Sequence, residues 1–473
     1  MDQRRQVAVL DMGKTNVKLS AVTRDGRVLE TLAIENAVRP GPPWRHNDLA
    51  GISDWAFSSL AALCHRHDIG HVIAAGYGSG GVLVTDDPDG PGGGAALPMI
   101  DYEQALPPGL AADYADLAGS FYDRGSAIMQ AATHQARQML WMARQCPAEF
   151  SSARWYLGTP QYWAWRLSGR PVAEESLLGA QSHLWNVVDK RFAPIVDSQG
   201  WRRLMPGFTR AWDDVGPVRP ELARRFGLPP DLRVHGGVHD SSANFYRYQA
   251  AGLVDFAVVS TGTWIVALAD HVPLVQLDEA RNMTLNCDVA GQPTGGALVM
   301  GGREFSHVAG AQASGALSDA AVIERLMARG SFAVPAFGAD SGQFPGSAGR
   351  GRFAGPPPED AEERLALAVL YMALLTAHCA DLVAAKRRIV LDGTYLRDAN
   401  YIALVAALRG GAETLYNPES YGVAAGAALL CSHLERNSPV ALQLKSPQAF
   451  VSSSLAGYAA HWLSLSHQQS QGH

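Results

Sequence analysis

The 473-residue chain has only five cysteines (Cys64, Cys146, Cys287, Cys379, Cys431), an odd number, widely spread and without a C-x-x-C pair. That argues against a disulfide framework or a zinc cluster and fits a reducing cytoplasm. A basic excess is missing as well. Lys and Arg number 39 against 45 Asp and Glu, a net charge of −6 with a pI near 6.2. Such a balance leaves no electrostatic footprint for nucleic acid or anionic lipid. The N-terminus, "MDQRRQVAVLDMG", passes from polar residues into a short strand followed by Asp and Gly, with neither the apolar core nor the small-residue cleavage site of a signal peptide. The most apolar helical run, Leu365 to Ala377, is 13 residues long. That is shorter than the roughly 20 that span a bilayer, so a buried helix and no membrane partner are expected.

What remains is the composition of a globular protein: 47% apolar, 18% charged, with 48 Gly and 27 Pro. The length exceeds one ordinary core, so two large domains or three smaller ones are expected. "VAVLDMGKTNVKLSAVTRDGRVLE" reads as a strand from Val7, a glycine turn over Asp11 to Asn16, and a second strand alternating at Val17, Leu19 and Ala21. The pattern recurs at Val254 to Asp270, "VDFAVVSTGTWIVALAD", so two related halves are expected. "GSAIMQAATHQARQMLWMARQCP" has helical spacing at Ile128, Ala132, Met139 and Met142. Further on, Glu359 to Glu363 would open a long helix and Lys386, Arg387 and Arg388 close it, each charge sign favoured by the dipole at that end. The strand "RIVLDG" and the helix "DANYIALVAALRGG" follow, giving a βα unit and a fold of the α/β class. Residues 330–360 contain twelve Gly or Pro, which predicts a mobile surface loop or lid.

Two turns carry the first chemical signal. A glycine between strands lets backbone N–H groups approach a phosphate, because no Cβ holds the ligand away and successive amides form an anion nest. "DMGKTN" adds Asp11, an oxygen donor suited to Mg²⁺, and the point charge of Lys14. "STGTW" adds the hydroxyls of Ser260, Thr261 and Thr263. Midway along the chain, "VHGGVHDSSANF" puts two glycines and His239 ahead of Asp240. Taken alone, Asp240 is either the N-cap of the next helix or an acid placed for chemistry.

These motifs, in this order, resemble the FGGY carbohydrate kinase family, of the superfamily that includes actin, hexokinase and the heat-shock chaperone ATPases. "LDMGKTNVKL" is similar to its first phosphate turn, Asp-x-Gly-Thr-x-Ser, and "VVSTGTWIVAL" to its second. "GGVHDSSANF" is similar to the Gly-x-His-Asp segment that bears the family's base. "LDGTYLRDANYIALVAALRGGAETLYNPESYGVAAGAALL" resembles the adenosine region, and "ARWYLGTPQYWAWRLSGRPVAEESLLGAQSHLWNVVDKRF" the segment around the family's Leu-Thr-Gly and Asp-x-Ser positions. The resemblance covers about residues 7–430. It implies two actin-like (ribonuclease H-like) domains with an interdomain cleft: 1–245 for sugar, 246–440 for nucleotide, and a C-terminal tail, 441–473. It further implies ATP and Mg²⁺, with Asp240 as general base and Asp11 with Asp240 as metal ligands. Asp11, Gly13, Lys14, Thr15, Asn16, Thr261, Gly262, Thr263, Gly393, Thr394, Asn400 and Gly426 fall on the nucleotide side. Tyr77, Gly78, Ser79, Asp101, Tyr102, Glu103, His239 and Asp240 fall on the sugar side, with Gly236 and Gly237 letting backbone pass close to substrate. The implied partner is a small sugar, with no nucleic acid or membrane, and a homodimer is the oligomer to test.

The departures from the pattern matter. Lys14 stands where the family has Thr, and Asn16 where it has Ser. "GYGSGG" replaces Gln-x-His-Gly, and "IDYEQ" replaces Trp-x-Asp-x-Arg. The later motifs lean toward the deoxyketose kinases for L-fuculose and L-rhamnulose. A non-catalytic regulator or chaperone-like protein on the same fold is the alternative class, against which Asp240 speaks. Gly76, Gly78 and Gly81 fit a dinucleotide spacing, but a strand and turn cluster follow instead of a helix. His65 to His67 reads as a surface patch, and Trp155, Trp163 and Trp165 as core.

Overall fold

Strand β1 (Gln6–Met12) buries its residues alternately on two faces: Ala8, Leu10 and Met12 in one cluster, Val7 and Val9 in another. A strand covered on both sides reads as a near-continuous apolar run, which is what "VAVL" is. The computed structural model describes residues 5–310, 315–384, 387–419 and 421–470, and the chain divides into two compact units.

Unit 1 comprises Met1–Gly252, Leu285–Pro293 and Tyr421–Val440. β1 pairs antiparallel with β2 (Asn16–Val22), which pairs antiparallel with β3 (Val28–Glu35). On its other side β1 runs parallel to β4 (Ile69–Gly76). β5 (Asp214–Pro217) and β6 (Arg233–His235) complete the order β5-β6-β4-β1-β2-β3, and the short β7 (Val238–His239) runs parallel to the end of β4. Helix Leu49–Arg66 covers one face. Helices Asp240–Ala250 and Gly422–Leu430 cover the other, contributing Ala243, Tyr246, Ala424, Ala427 and Ala428 to its core.

Unit 2 comprises Leu253–Thr284, Thr294–Ser420 and Ala441–His473. Its sheet repeats the plan with β8 (Phe256–Thr261), β9 (Ile265–Asp270), β10 (Met283–Cys287), β11 (Pro293–Val299), β12 (Arg388–Gly393) and β13 (Thr414–Tyr416). The order is β10-β11-β9-β8-β12-β13, with β8–β9–β11 antiparallel and β8–β12–β13 parallel. Each unit thus has an antiparallel three-strand meander whose first strand continues into parallel partners. This is the actin-like arrangement, present twice.

Several expectations change. The 245/246 boundary falls inside helix Asp240–Ala250, residues 421–440 join unit 1, and 441–473 joins unit 2 through helix Leu455–Ser470, whose Leu455, Tyr458 and Trp462 are buried. The apolar run lies in a 24-residue helix, Ala361–Ala384, which is long and apolar enough to cross a membrane, so the length argument fails; 83% of its most apolar window is buried inside the protein. That helix ends before Arg387, Arg388 opens β12, and Lys386 lies outside the described residues.

The helix expected from Gly125 spans only Gln135–Gln145, because Ala131 sits at φ 56° and His134, the N-cap, accepts the Met129 N–H. Residues 330–360 are no free lid. Phe332–Val334 pairs antiparallel with Arg352–Ala354, Glu304 accepts from the Phe337 and Gly338 amides, and the Trp462 indole donates to the Ala333 carbonyl. Trp163 and Trp165 are core, and His67 and Arg66 bind Glu30 rather than a metal.

Candidate active site

In a parallel sheet the C-terminal strand ends gather side chains from distant parts of the chain. Register puts His239 of β7 beside Gly76 of β4, and Gly76 beside Met12 of β1. Asp240, first residue of its helix, therefore lies at the same strand ends as Asp11, close enough for its charge to act on that carboxyl. Burial, and then the charge of Asp240, push the Asp11 carboxyl up to about 7, opposed by Lys18. Lys18 lies directly across from Asp11 in the β1–β2 ladder. Neighbouring acids with one raised pKa are relieved by a shared proton or by an added cation. No cluster of three or more His, Cys, Asp or Glu occurs among the described residues. The donor set therefore fits an ion that takes one or two carboxylates and completes its shell with phosphate oxygens and water, as Mg²⁺ does.

Asp240 is not an N-cap. The cap position is His239, which makes no side-chain capping bond, while Asp240 Oδ1 accepts from the amide and the hydroxyl of Ser241. His239 is buried, and burial lowers its pKa against the opposing charge of Asp240. Its backbone N–H donates to Ser176 Oγ at 3.2 Å, and Ser176 Oγ donates in turn to Glu174 at 2.6 Å. The ring Nδ1 lies 3.0 Å from Ser242 Oγ, whose proton goes to the Cys287 carbonyl at 3.1 Å. The other ring nitrogen, Nε2, lies 3.2 Å from Asp240 Oδ1.

The first turn is closed by Gly13 N–H to Asn16 O at 3.1 Å, and Asn36 braces it through Gly13 O and Thr15 O. A Cβ on Gly13 would stand 2.7 Å from Asn16 O. Thr15 and Asn16 are exposed at its tip. Lys14 points elsewhere, donating to Asp101 Oδ1 at 2.7 Å. Tyr77 stands between the two acidic centres: burial raises its pKa first, and Tyr102, Asp101 and Asp240 add to that. Its ring lies 5.4 Å from that of Tyr102. The carbonyls of Gly78 and Ser79 are held by Gln135 and Gln138, each at 2.7 Å. Gly236 and Gly237 face protein rather than open space, since Cβ atoms there would meet Arg210 O at 2.5 Å and Pro160 at 2.9 Å.

In unit 2 the second turn joins β8 to β9. Thr261 Oγ1 donates to Asp392 O at 2.9 Å and accepts from the Tyr395 amide, so its hydroxyl secures the strand ends. Gly393, at φ 103°, lies against Thr261, where a Cβ would come within 2.1 Å of Thr261 O. Thr394 Oγ1 also donates to Thr261 O. Around Gly262 there is room, its nearest neighbour being Thr394 Oγ1 at 3.9 Å, and Thr263 is exposed. Helix Gly301–Ala309 starts beside this turn, with Gly302 N–H donating to Thr263 O at 3.0 Å. An exposed threonine, an open glycine and a helix N-terminus form an anion-receiving arrangement.

Asn400 donates its amide to Ser318 and contributes to the wall of an open pocket of about 550 Å³ with Glu324, Tyr416 and Phe450. Gly426 sits in unit 1, against the Ala243 carbonyl of the Asp240 helix. Sequence reasoning missed Lys18, whose signal was an exposed lysine in an otherwise apolar strand, opposite the one acid of β1.

This fold, two actin-like units each with a glycine turn in its first β-hairpin, is shared with carbohydrate kinases of known structure. A carbohydrate kinase from Novosphingobium aromaticivorans is similar over 98% of both chains, with TM-score 0.84 and 28% identity. A xylulose kinase from Rhodospirillum rubrum shares the fold at TM-score 0.75 and 18% identity, over 99% of this chain and 98% of that one. Residues 254–439 match the family description "Carbohydrate kinase FGGY, C-terminal domain". Over those residues the chain carries an FGGY carbohydrate kinase C-terminal domain. L-Fuculokinases from Salmonella typhi and Escherichia coli (strain K12) are 25% identical over 275 residues and 23% over 272. Each alignment spans 55% of this chain and 56% of the relative, a little over half the length of either.

Proposed function

We propose that the protein is an ATP-dependent kinase that phosphorylates a hydroxyl of a small ketose, with L-fuculose the first to test because the curated relatives are L-fuculokinases. The observation that carries the reading is the electrostatic coupling of Asp240 to a half-buried Asp11 at the strand ends. Phosphoryl transfer needs positioning, charge neutralisation and a base, with no covalent role for the protein. Asp240 accepts the proton of the sugar hydroxyl as that oxygen bonds to the γ-phosphorus. The bond from phosphorus to the β–γ bridging oxygen breaks, and ADP leaves with that electron pair. His239 Nε2, 3.2 Å from Asp240 Oδ1, steadies the carboxyl as it takes up the proton. Asp11 and Asp240 would hold Mg²⁺, which supplies charge neutralisation on the phosphates. Lys18 supplies a second positive charge there, and the Gly262–Thr263 turn with the Gly302 helix end receives phosphate oxygens.

Five free cysteines, three of them buried, and the requirement for ATP support a cytoplasmic setting. The test is a screen of ketoses, aldoses and polyols for sugar-dependent ADP release. Release with at least one ketose supports the assignment; no release with any sugar, from protein that binds ATP, would favour a nucleotide-binding regulator.

A further inference from the structure

Two departures from the family pattern, Lys14 in the phosphate turn and Asp101 in "IDYEQ", lie 87 positions apart and touch each other. Their surroundings reverse the roles that sequence assigns them. The Asp101 side chain is only 2% exposed. Its Oδ1 accepts from Lys14 Nζ at 2.7 Å and from the Glu103 amide at 3.3 Å, while Oδ2 accepts from Arg45 Nε at 2.7 Å with the second Arg45 nitrogen at 2.6 Å. A carboxylate has about four lone-pair sites, and these contacts occupy them. Asp101 has no capacity left for a sugar hydroxyl.

Lys14 is the opposite case. An ammonium has three donors, and one is committed to Asp101. Glu103 Oε2 stands off at 3.9 Å, the Tyr102 ring centroid is 5.4 Å from Nζ, and the side chain keeps 19% exposure. Asp101 draws this ammonium toward the Tyr77–Tyr102 wall, while the cation that faces Asp11 across the hairpin is Lys18. The two lysines of "LDMGKTNVK" therefore serve different ligands.

We infer that Lys14 is a specificity-determining residue for the sugar, donating to a hydroxyl or carbonyl oxygen of the substrate, and that Asp101 is a positioning residue acting through it. The inference rests on the kinase reading above. Two cations, Lys14 and Arg45, face two anions, Asp101 and Glu103, so the local charge sums to zero. Such a wall offers hydrogen bonds without net attraction for a carboxylate, which assigns the substrate to neutral polyhydroxylated sugars rather than sugar acids.

The full-length protein and its Lys14→Met variant are titrated calorimetrically with L-fuculose, L-rhamnulose, D-xylulose and gluconate in the absence of nucleotide, and separately with MgATP. Melting curves establish that the variant is folded, and Lys14→Arg keeps the charge should Lys14→Met fail to fold. The expected result is that the wild type binds a neutral ketose in preference to gluconate. Lys14→Met should weaken that binding at least tenfold and leave the ATP Kd within twofold, and Lys14→Arg should shift sugar preference with ATP binding intact. Asp101→Asn should weaken sugar binding in the same direction by a smaller factor. A raised ATP Kd with unchanged sugar binding would return Lys14 to the phosphates and overturn the inference, as would a wild type that prefers gluconate or binds no sugar. Sugar binding without ADP release would sink the kinase reading while leaving the Lys14 assignment standing.

Discussion

Substituting Gly426 by alanine separates two explanations for that glycine. The residue lies in helix Gly422–Leu430, and a Cβ built on it would stand 1.8 Å from the Ala243 carbonyl oxygen and 2.6 Å from its carbon. The opposing atoms are backbone, which cannot rotate away as a side-chain tip can. Restoring a contact of about 3 Å requires the two helices to part by more than 1 Å. Overpacking of this kind costs about 1–3 kcal/mol, equivalent to a fall in Tm on the order of 5 °C for a unit this size. The displaced helix begins at Asp240, and a 1 Å error at a reacting group costs about 100-fold in rate. Gly426→Ala should therefore lower both Tm and kcat while leaving KM for ATP near its wild-type value. Thermal denaturation and steady-state kinetics read all three. A native Tm with a selectively raised KM for ATP would refute the packing argument and restore the glycine to the nucleotide.

Lys18→Met should raise KM for ATP and lower kcat, with KM for sugar little changed, and unaltered ATP kinetics would remove Lys18 from the phosphate site. Stability should decline on acidification. Burial lowers the pKa of His134 from 6.5 to about 3 and that of His71 to about 4. Their neutral forms are thus favoured in the folded state, and their contribution is complete above the unfolded value of 6.5 and lost as pH falls below it. Between pH 6.5 and 5.5 each such histidine costs about 1 kcal/mol, and a urea midpoint that stays flat over that range would contradict the burial argument.

The two hairpins were legible because a strand buried on both faces and a polar glycine turn leave a local trace in "VAVLDMG" and "VVSTGTW". Asp240 was legible only in company, since one acid ahead of a helix has two local explanations; the cap position falls to His239 instead. Non-local contacts were not legible. Nothing near Lys14 indicates that Asp101 will hold it, and nothing near Gly426 indicates that Ala243 occupies the space a side chain would need. The Gly/Pro-rich stretch misled for the same reason: its order comes from Glu304, Trp462 and the pairing of Phe332–Val334 with Arg352–Ala354, none of which composition reveals. The expected 245/246 boundary cuts helix Asp240–Ala250, and residues 421–440, expected in the second domain, fold with unit 1.

The central claim is that Asp240 takes the proton from a sugar hydroxyl during phosphoryl transfer. Asp240→Asn keeps size and shape while removing basicity. Sugar-dependent ADP release by this variant should fall by about 100-fold or more, the range ascribed to a positioned base, with ATP and sugar binding by calorimetry and the melting temperature close to wild type. Turnover within a few-fold of wild type would contradict the account.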